Sequence, residues 1–296
     1  MVSRQAKMLS AMLRLVNLKG SVDAALDSGG ARAAKTAPPP RSLQAHLNVE
    51  ERRVQGRSVY FLRRKDKIGN RHIFYLHGGA YVHSISRLHW ALIERISKAT
   101  GCSVVVPAYP LTPIHTFVDA FRMVEPLYRD VLAQVGTDEM ILMGDSAGGG
   151  FALALAQKLK ADGVDAAGHI ILLSPWLDAA LDDEAIAGLE KRDPILAVSA
   201  LRRAAISYSG GTPLDNPLLS PIKGNLHGLG KVSLFIGTND ILLADARRFK
   251  ALTEAQGVRI NYFEYEEMLH DWLLFNLPES TMAIRQIAGL IDSEIS

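Results

Sequence analysis

Residues 140–150 read Met-Ile-Leu-Met-Gly-Asp-Ser-Ala-Gly-Gly-Gly, and their order decides the fold. The apolar run Met140 to Met143 reads as a buried strand, Gly144 to Gly148 as a sharp turn, and Phe151 to Lys160 as the helix that follows. A serine at the apex of such a turn stands clear of its sheet, within reach of a substrate. Glycines at 144 and 148 keep side chains from colliding with the neighbouring strand and helix. The turn also aims the backbone N–H of Ala147 at the place where an oxyanion would form. By chance G-x-S-x-G turns up in roughly one chain in ten of this length. Its position between a strand and a helix is what gives it weight.

A serine hydroxyl becomes a good nucleophile only when an imidazole takes its proton, and that imidazole needs a carboxylate to hold its tautomer. On this type of turn the chain order is serine, acid, histidine. Val232 to Ile236 reads as a strand leading into Gly237-Thr238-Asn239-Asp240. Asp240 therefore falls just past a strand end, where open parallel sheets gather their functional groups. Ile260 to Tyr265 reads as one more strand, with His270 a few residues beyond it. Ser146, Asp240 and His270 are the candidate catalytic residues.

Of nine histidines, three follow the serine: His169, His227 and His270. His169 opens the apolar run Ile170 to Leu173 and belongs at the wrong edge of the sheet. His227 lies in a loop between Gly224 and Gly230 and reads as solvated. Asp245 reads as an exposed first-turn carboxylate of a helix over 241–256. Asp145 reads as a partner of local backbone rather than of the histidine.

Upstream, Ile73 to Leu76 reads as a strand that runs into His77-Gly78-Gly79-Ala80-Tyr81. Bare glycines let backbone N–H groups approach a substrate oxygen closely. Gly78 and Gly79 are the expected oxyanion-hole donors, with Ala147 as the third. His77 precedes the serine by a whole crossover, so the expectation is that it braces the glycine loop.

These words resemble the hormone-sensitive-lipase-like branch of the α/β-hydrolases, a group with many bacterial carboxylesterases. Also matching, in the family's order, are Tyr109-Pro110-Leu111-Thr112-Pro113, Leu173-Ser174-Pro175-Trp176, Asn216-Pro217 with Ser220-Pro221, and Met268-Leu269-His270. The resemblance spans roughly residues 45 to 290 and implies the same triad and oxyanion hole as the chemistry above. The family commonly has Tyr-Arg-Leu-Ala-Pro-Glu where Tyr109 to Ile114 stand, and Met-Pro-His where Met268 to His270 stand. Neither departure removes a reacting group. The resemblance further implies an N-terminal cap over the site mouth and pairing of two copies through the edge strand and last helix.

Length and composition agree with one catalytic domain. The chain has 296 residues, 48% of them hydrophobic and 22% charged, and a net charge of +2. A nearly neutral chain of this length is not expected to bind nucleic acid. Neither a phosphate-binding G-x-x-x-x-G-K-[ST] nor a zinc-binding H-E-x-x-H string occurs. No cofactor or metal is expected. The single cysteine, Cys102, rules out a disulfide framework and fits a cytoplasmic setting. No run approaches the roughly 18 apolar residues of a membrane span. Residues 1–20 are instead amphipathic, with Leu9, Met12, Leu13 and Val16 opposite Arg4, Lys7 and Arg14. A membrane-surface helix would show the same pattern as a cap helix.

The expected fold is an α/β-hydrolase: a mostly parallel sheet with helices on both faces and a helical cap. Residues 1–40 would form a cap segment and a stiff linker ending in Pro38-Pro39-Pro40, and residues 41–296 the catalytic domain. Residues 178–215, with Pro194 near a helix start, would form an inserted part of the cap. Leu47 to Val54 and Ser58 to Arg64 are expected to pair as a hairpin turning at Gln55-Gly56. Phe117 to Val135 is expected as a crossover helix. The expected activity is hydrolysis of a small-molecule carboxylic ester, with short to medium acyl chains, through an acyl-enzyme. Lactone or amide hydrolysis on the same triad, and a non-catalytic small-molecule receptor, are the alternatives.

Overall fold

Alternating apolar residues in the central strands bury both faces of one sheet. The computed structural model describes residues 2–16, 18–30, 35–65 and 70–292. In chain order the elements are α1 (Arg4–Leu15), α2 (Ser21–Asp27), β1 (Leu47–Val54), β2 (Arg57–Arg64), β3 (His72–Leu76), α3 (Arg87–Thr100), β4 (Ser103–Pro107) and α4 (Phe117–Val135). There follow β5 (Met140–Asp145), α5 (Ala147–Ala161), β6 (His169–Leu173), α6 (Ile186–Glu190), α7 (Val198–Ser209), β7 (Lys231–Gly237), α8 (Leu243–Ala255), β8 (Asn261–Tyr265) and α9 (Pro278–Asp292). The strands lie in the order β1-β2-β4-β3-β5-β6-β7-β8. Pairing is parallel from β4 to β8 and antiparallel for β1 with β2 and β2 with β4.

The hairpin turns where expected. Gln55 and Gly56 take φ of 49° and 78°, the two left-handed residues that match a hairpin's right-handed twist. Phe74, Leu142, Leu172 and Leu234 point to one face and pack with α4, α5 and α8. Ile73, Ile141, Met143, Ile171 and Leu173 point to the other, against α3 and α9. Each such side chain contributes about 1.5–3 kcal/mol on burial. The crossovers from β3 to β4 and from β4 to β5 run in opposite directions along the sheet, so the strand order reverses beside β3. Open α/β sheets bind their ligands at that switch point, beyond the carboxyl ends of the strands. The loop after β3 and the turn after β5 both emerge there.

The N-terminal segment differs from its expected packing. Helix α1 buries Ala6 and Leu13 and half-buries Leu9, while Met12 and Val16 stand exposed. Polar anchors set that rotation. The Ser3 N–H donates to Glu279 at 2.6 Å, Lys7 approaches Glu267 at 3.9 Å, and Arg14 donates to the Arg192 carbonyl at 3.0 Å. The proline-rich linker is docked rather than free. The Ala37 N–H donates to the Ile85 carbonyl, and the Ala37 carbonyl accepts from Trp90 Nε1 at 2.8 Å. Within residues 178–215, Pro194 lies between α6 and α7, four residues ahead of the start of α7.

The close approach of α5 to the end of β3 requires a bare Cα at residue 148. A Cβ added at Gly148 would lie 2.5 Å from the Leu76 carbonyl carbon and 2.6 Å from the His77 carbonyl oxygen. Both are backbone atoms and cannot swing aside. Gly148→Ala should therefore cost about 3 kcal/mol or more and lower Tm by about 5 °C or more, or abolish soluble folding. Gly188→Ala, where a Cβ meets nothing within 4 Å among the described residues, should leave the Tm unchanged or slightly raised. Parallel thermal melts of the two variants test this.

Candidate active site

The β5 strand ends in a turn that no relaxed backbone would adopt. Ser146 takes φ 50° and ψ −121°, outside the regions favoured by L-residues. Three backbone hydrogen bonds hold it there. Its N–H donates to the Leu173 carbonyl at 2.8 Å, and its own carbonyl accepts from Trp176 at 2.9 Å and Gly150 at 3.1 Å. The hydroxyl consequently sits at the rim of the sheet, above the switch point.

The loops after β7 and β8 bring two further groups to it. Ser146 Oγ lies 2.9 Å from His270 Nε2, and His270 Nδ1 lies 2.8 Å from Asp240 Oδ2. All three residues are buried, Asp240 completely. Burial by itself would lower the His270 pKa, but the carboxylates of Asp240 and then Asp271 reverse this and hold it well above its ordinary value. Nδ1–H donates to Asp240, which leaves Nε2 to face the serine. The three side chains chosen from the sequence thus form one hydrogen-bonded row.

The glycine loop lies against the serine. A Cβ at Gly78 would fall 2.9 Å from Ser146 Cβ. Gly79, Ala80 and Tyr81 all have positive φ, at 113°, 54° and 59°. Gly78 does not fit its expected role, because its N–H donates to Asp145 Oδ1 at 3.0 Å. The N–H groups of Gly79, Ala80 and Ala147 have no hydrogen-bond partner among the described residues. His77 braces the loop as expected, with Nδ1–H donating to the Gly78 carbonyl at 2.7 Å and the ring stacked on Tyr109 at 4.4 Å. Burial, then the charge of His89, pushes the His77 pKa down to about 4, so it stays neutral.

Asp145 does more than the local bonding expected of it. It accepts from Gly78, from the Tyr75 hydroxyl at 2.5 Å, and pairs with His89 Nε2 at 3.2 Å. Burial opposes its charge, yet His89 and then Tyr75 hold its carboxyl below the ordinary value. A carboxylate–imidazole pair therefore lies under the loop, separate from the one beside the serine. His89 carried no sequence signal beyond sitting on an amphipathic helix. Asp193 was missed too. Its carboxylate accepts from Ile195 and Leu196 in its own segment and from Ile241 N–H at 3.1 Å, which ties residues 178–215 to the turn after Asp240.

Trp90 is fully buried on the α3 face, edge-on to Tyr60. Trp176 lies 5.7 Å from Tyr81, which stacks on Tyr208 of α7 at 3.8 Å. The Tyr208 hydroxyl is buried and has no partner among the described residues. His169 sits at the start of β6 and His227 is exposed in its loop, as read from the sequence. Among the described residues, no three His, Cys, Asp or Glu side chains are grouped to hold a metal ion, and no helix is long and apolar enough to cross a membrane.

With this geometry, residues 73–274 match the family model described as alpha/beta hydrolase fold. The chain is 31% identical over 225 residues to an esterase of Acinetobacter venetianus, covering 75% of this chain and 74% of that one. It is 32% identical over 222 residues to an acetyl-hydrolase of Streptomyces hygroscopicus, covering 74% of each. A crystal structure of an esterase from the bacterial hormone-sensitive lipase family superposes with a TM-score of 0.80 at 27% identity, covering 94% of this chain and 99% of that one.

Asp245, expected to be exposed, is fully buried. The first turn of α8 faces the segment after β6, where Asp178 also lies buried. Arg248 sits between them, 3.1 Å from Asp245 Oδ1 and paired with Asp178 Oδ2. Burial pushes the Asp245 pKa up to about 7, against the pull of Arg248. A carboxyl whose pKa is raised on folding favours the folded state below its unfolded value, about 4, and loses that advantage as pH rises through about 7. Asp245→Asn should match the wild type near pH 4 and exceed its denaturant midpoint near pH 8. A variant less stable than the wild type near pH 8 would contradict this reading.

Proposed function

This chain belongs to the α/β-hydrolase fold family, in its hormone-sensitive-lipase-like branch, and on that premise we propose that Ser146, His270 and Asp240 carry out carboxylester hydrolysis. The carrying observation is the row Ser146 Oγ, His270 Nε2, His270 Nδ1, Asp240 Oδ2, with links of 2.9 and 2.8 Å. Its relatives named esterase and acetyl-hydrolase support the same reaction class.

In the first half-reaction His270 Nε2 accepts the Ser146 proton as Oγ bonds to the ester carbonyl carbon. The carbonyl π pair moves onto oxygen, and the N–H groups of Gly79 and Ala147 receive that oxyanion. Ala80 N–H, unpartnered on the same loop, is a third donor in place of Gly78. The tetrahedral species collapses, the C–O bond to the alcohol breaks, and Nε2–H protonates the leaving oxygen. Water then repeats the sequence on the acyl-serine, and the acid leaves. Asp240 stays ionised throughout and orients the imidazole. Losing one oxyanion donor costs about 10² to 10³ in turnover.

Lactones and amides share this tetrahedral intermediate, and the triad does not separate them. A purely receptor role would leave the Ser146–His270 contact without use. Helices α2 and α7 form the cap on this reading. Val22 and Ala25 of α2 join the cluster around Tyr208 and Tyr81, and Arg203 pairs with Asp23 and Asp27 at 2.5 and 2.6 Å outside it. Tyr81, Tyr208 and Trp176 crowd the space beside the oxyanion loop, which favours short acyl chains. The substrate is a small-molecule ester, the setting cytoplasmic, and two copies pair through β8 and α9.

Ser146→Ala should lower kcat on nitrophenyl acetate by about 10⁴ to 10⁶ with the melting curve unchanged. A folded variant retaining wild-type turnover overturns the assignment. A rate series over nitrophenyl esters should fall from short to long acyl chains; a preference for long insoluble triglycerides would contradict the crowded pocket.

A further inference from the structure

The base has a second carboxyl neighbour that the mechanism above does not use. Asp271 follows His270 directly and takes φ 51°, which turns its side chain back over the ring. Its Oδ2 lies 3.2 Å from His270 Nε2, the nitrogen that also faces Ser146 Oγ. Asp271 is buried, its N–H donates to Ser174 Oγ at 3.2 Å, and its Oδ1 has no hydrogen-bond partner among the described residues.

From this geometry we infer that Asp271 shares a proton with His270 Nε2 and competes with Ser146 for that nitrogen, so the site turns on only when that proton leaves. The inference rests on His270 being the general base. With Nδ1–H given to Asp240, neutral His270 presents a lone pair at Nε2. A carboxylate oxygen 3.2 Å from the nitrogen that carries this lone pair is repelled by it unless a proton is shared between the two groups. Whether that proton sits on oxygen or on nitrogen, the lone pair is not free to accept from Ser146. Its loss to water frees the lone pair. When Nε2 then takes the serine proton, the new imidazolium faces ionised carboxylates on both sides, Asp240 at Nδ1 and Asp271 at Nε2. Asp271 therefore strengthens the base and raises the pH at which it becomes available.

The surroundings keep Asp271 from ionising early. His270 faces it from its own loop, Asp240 from the loop after β7, Asp145 from β5, Tyr75 from β3 and His89 from α3. Asp193 faces His270 and Asp240 from the cap segment. Arg95 of α3 is spent on the carbonyls of Leu273 and Phe275. Burial, with repulsion from Asp145 and Asp240 and against the pull of His270, pushes the Asp271 pKa up to about 7.

The test uses Asp271→Gly, which suits the left-handed backbone, and Asp271→Asn, which keeps the shape and also tolerates positive φ. Two readouts are taken from about pH 5 to about pH 9: kcat/KM on nitrophenyl acetate, and the His270 imidazole nitrogens by NMR without substrate. The His270 midpoint and the acid limb of kcat/KM should both fall by about one pH unit or more, while the plateau rate drops about threefold to tenfold. A merely structural role would lower the plateau and leave the limb in place. A folded variant whose His270 titrates where the wild type does overturns the shared proton. If that midpoint moves while the acid limb stays, His270 is not the base, and it is the functional reading that fails.

Discussion

The strained backbone of Ser146 is the constraint on which the rest of the site depends. Conformations of that kind cost about 1–3 kcal/mol and persist only when the surroundings over-determine them. Here the surroundings are specific. The Leu173 carbonyl holds the Ser146 N–H, Trp176 and Gly150 hold its carbonyl, and the bare Cα of Gly148 lets α5 press against the end of β3. A relaxed turn would drop the hydroxyl into the sheet and away from Nε2. Core packing on both faces therefore does chemical work, because it keeps one residue where it would not go alone.

Charge is handled in two layers around that turn. Below the glycine loop, Asp145 is fixed as an acceptor by Gly78, Tyr75 and His89, and it sets the loop rather than the reaction. Beside the serine, Asp240 performs the corresponding service for His270. The two carboxylate–imidazole pairs share residue types but differ in what the imidazole meets next. His89 Nδ1 faces Ser86 at a helix start, whereas His270 Nε2 faces the Ser146 hydroxyl. Residues 178–215 are coupled to the same layer through Asp193 at the Asp240 turn and through Tyr208 stacked on Tyr81.

Much of this was legible in the chain because local signals agreed. The run Met140 to Gly150, the hairpin at Gln55-Gly56 and the helix Phe117–Val135 each combine period with turn chemistry, and each stands where expected. Ser146, Asp240 and His270 follow from strand ends and chain order. What escaped depends on contacts between distant segments. Gly78 looks as suitable a donor as Gly79 until Asp145, 67 residues away, takes its N–H. Asp245 looks solvated on its own helix, because the segment that buries it lies far upstream in the chain. The face that α1 buries likewise depends on distant partners: Glu279 and Glu267 hold the N-terminal segment so that Met12 and Val16 point outward. Asp271 stands next to His270 in the sequence, but only its positive φ folds it back onto the ring.

The claim that distant side chains converge to make one activated hydroxyl is tested most directly by covalent capture. Wild-type protein and His270→Ala would be treated with a fluorophosphonate and the modified peptide located by mass spectrometry. The account predicts a single adduct on Ser146 in the wild type and a large loss of labelling rate in His270→Ala. An adduct on another residue, or equal labelling of Ser146 in both proteins, would contradict it.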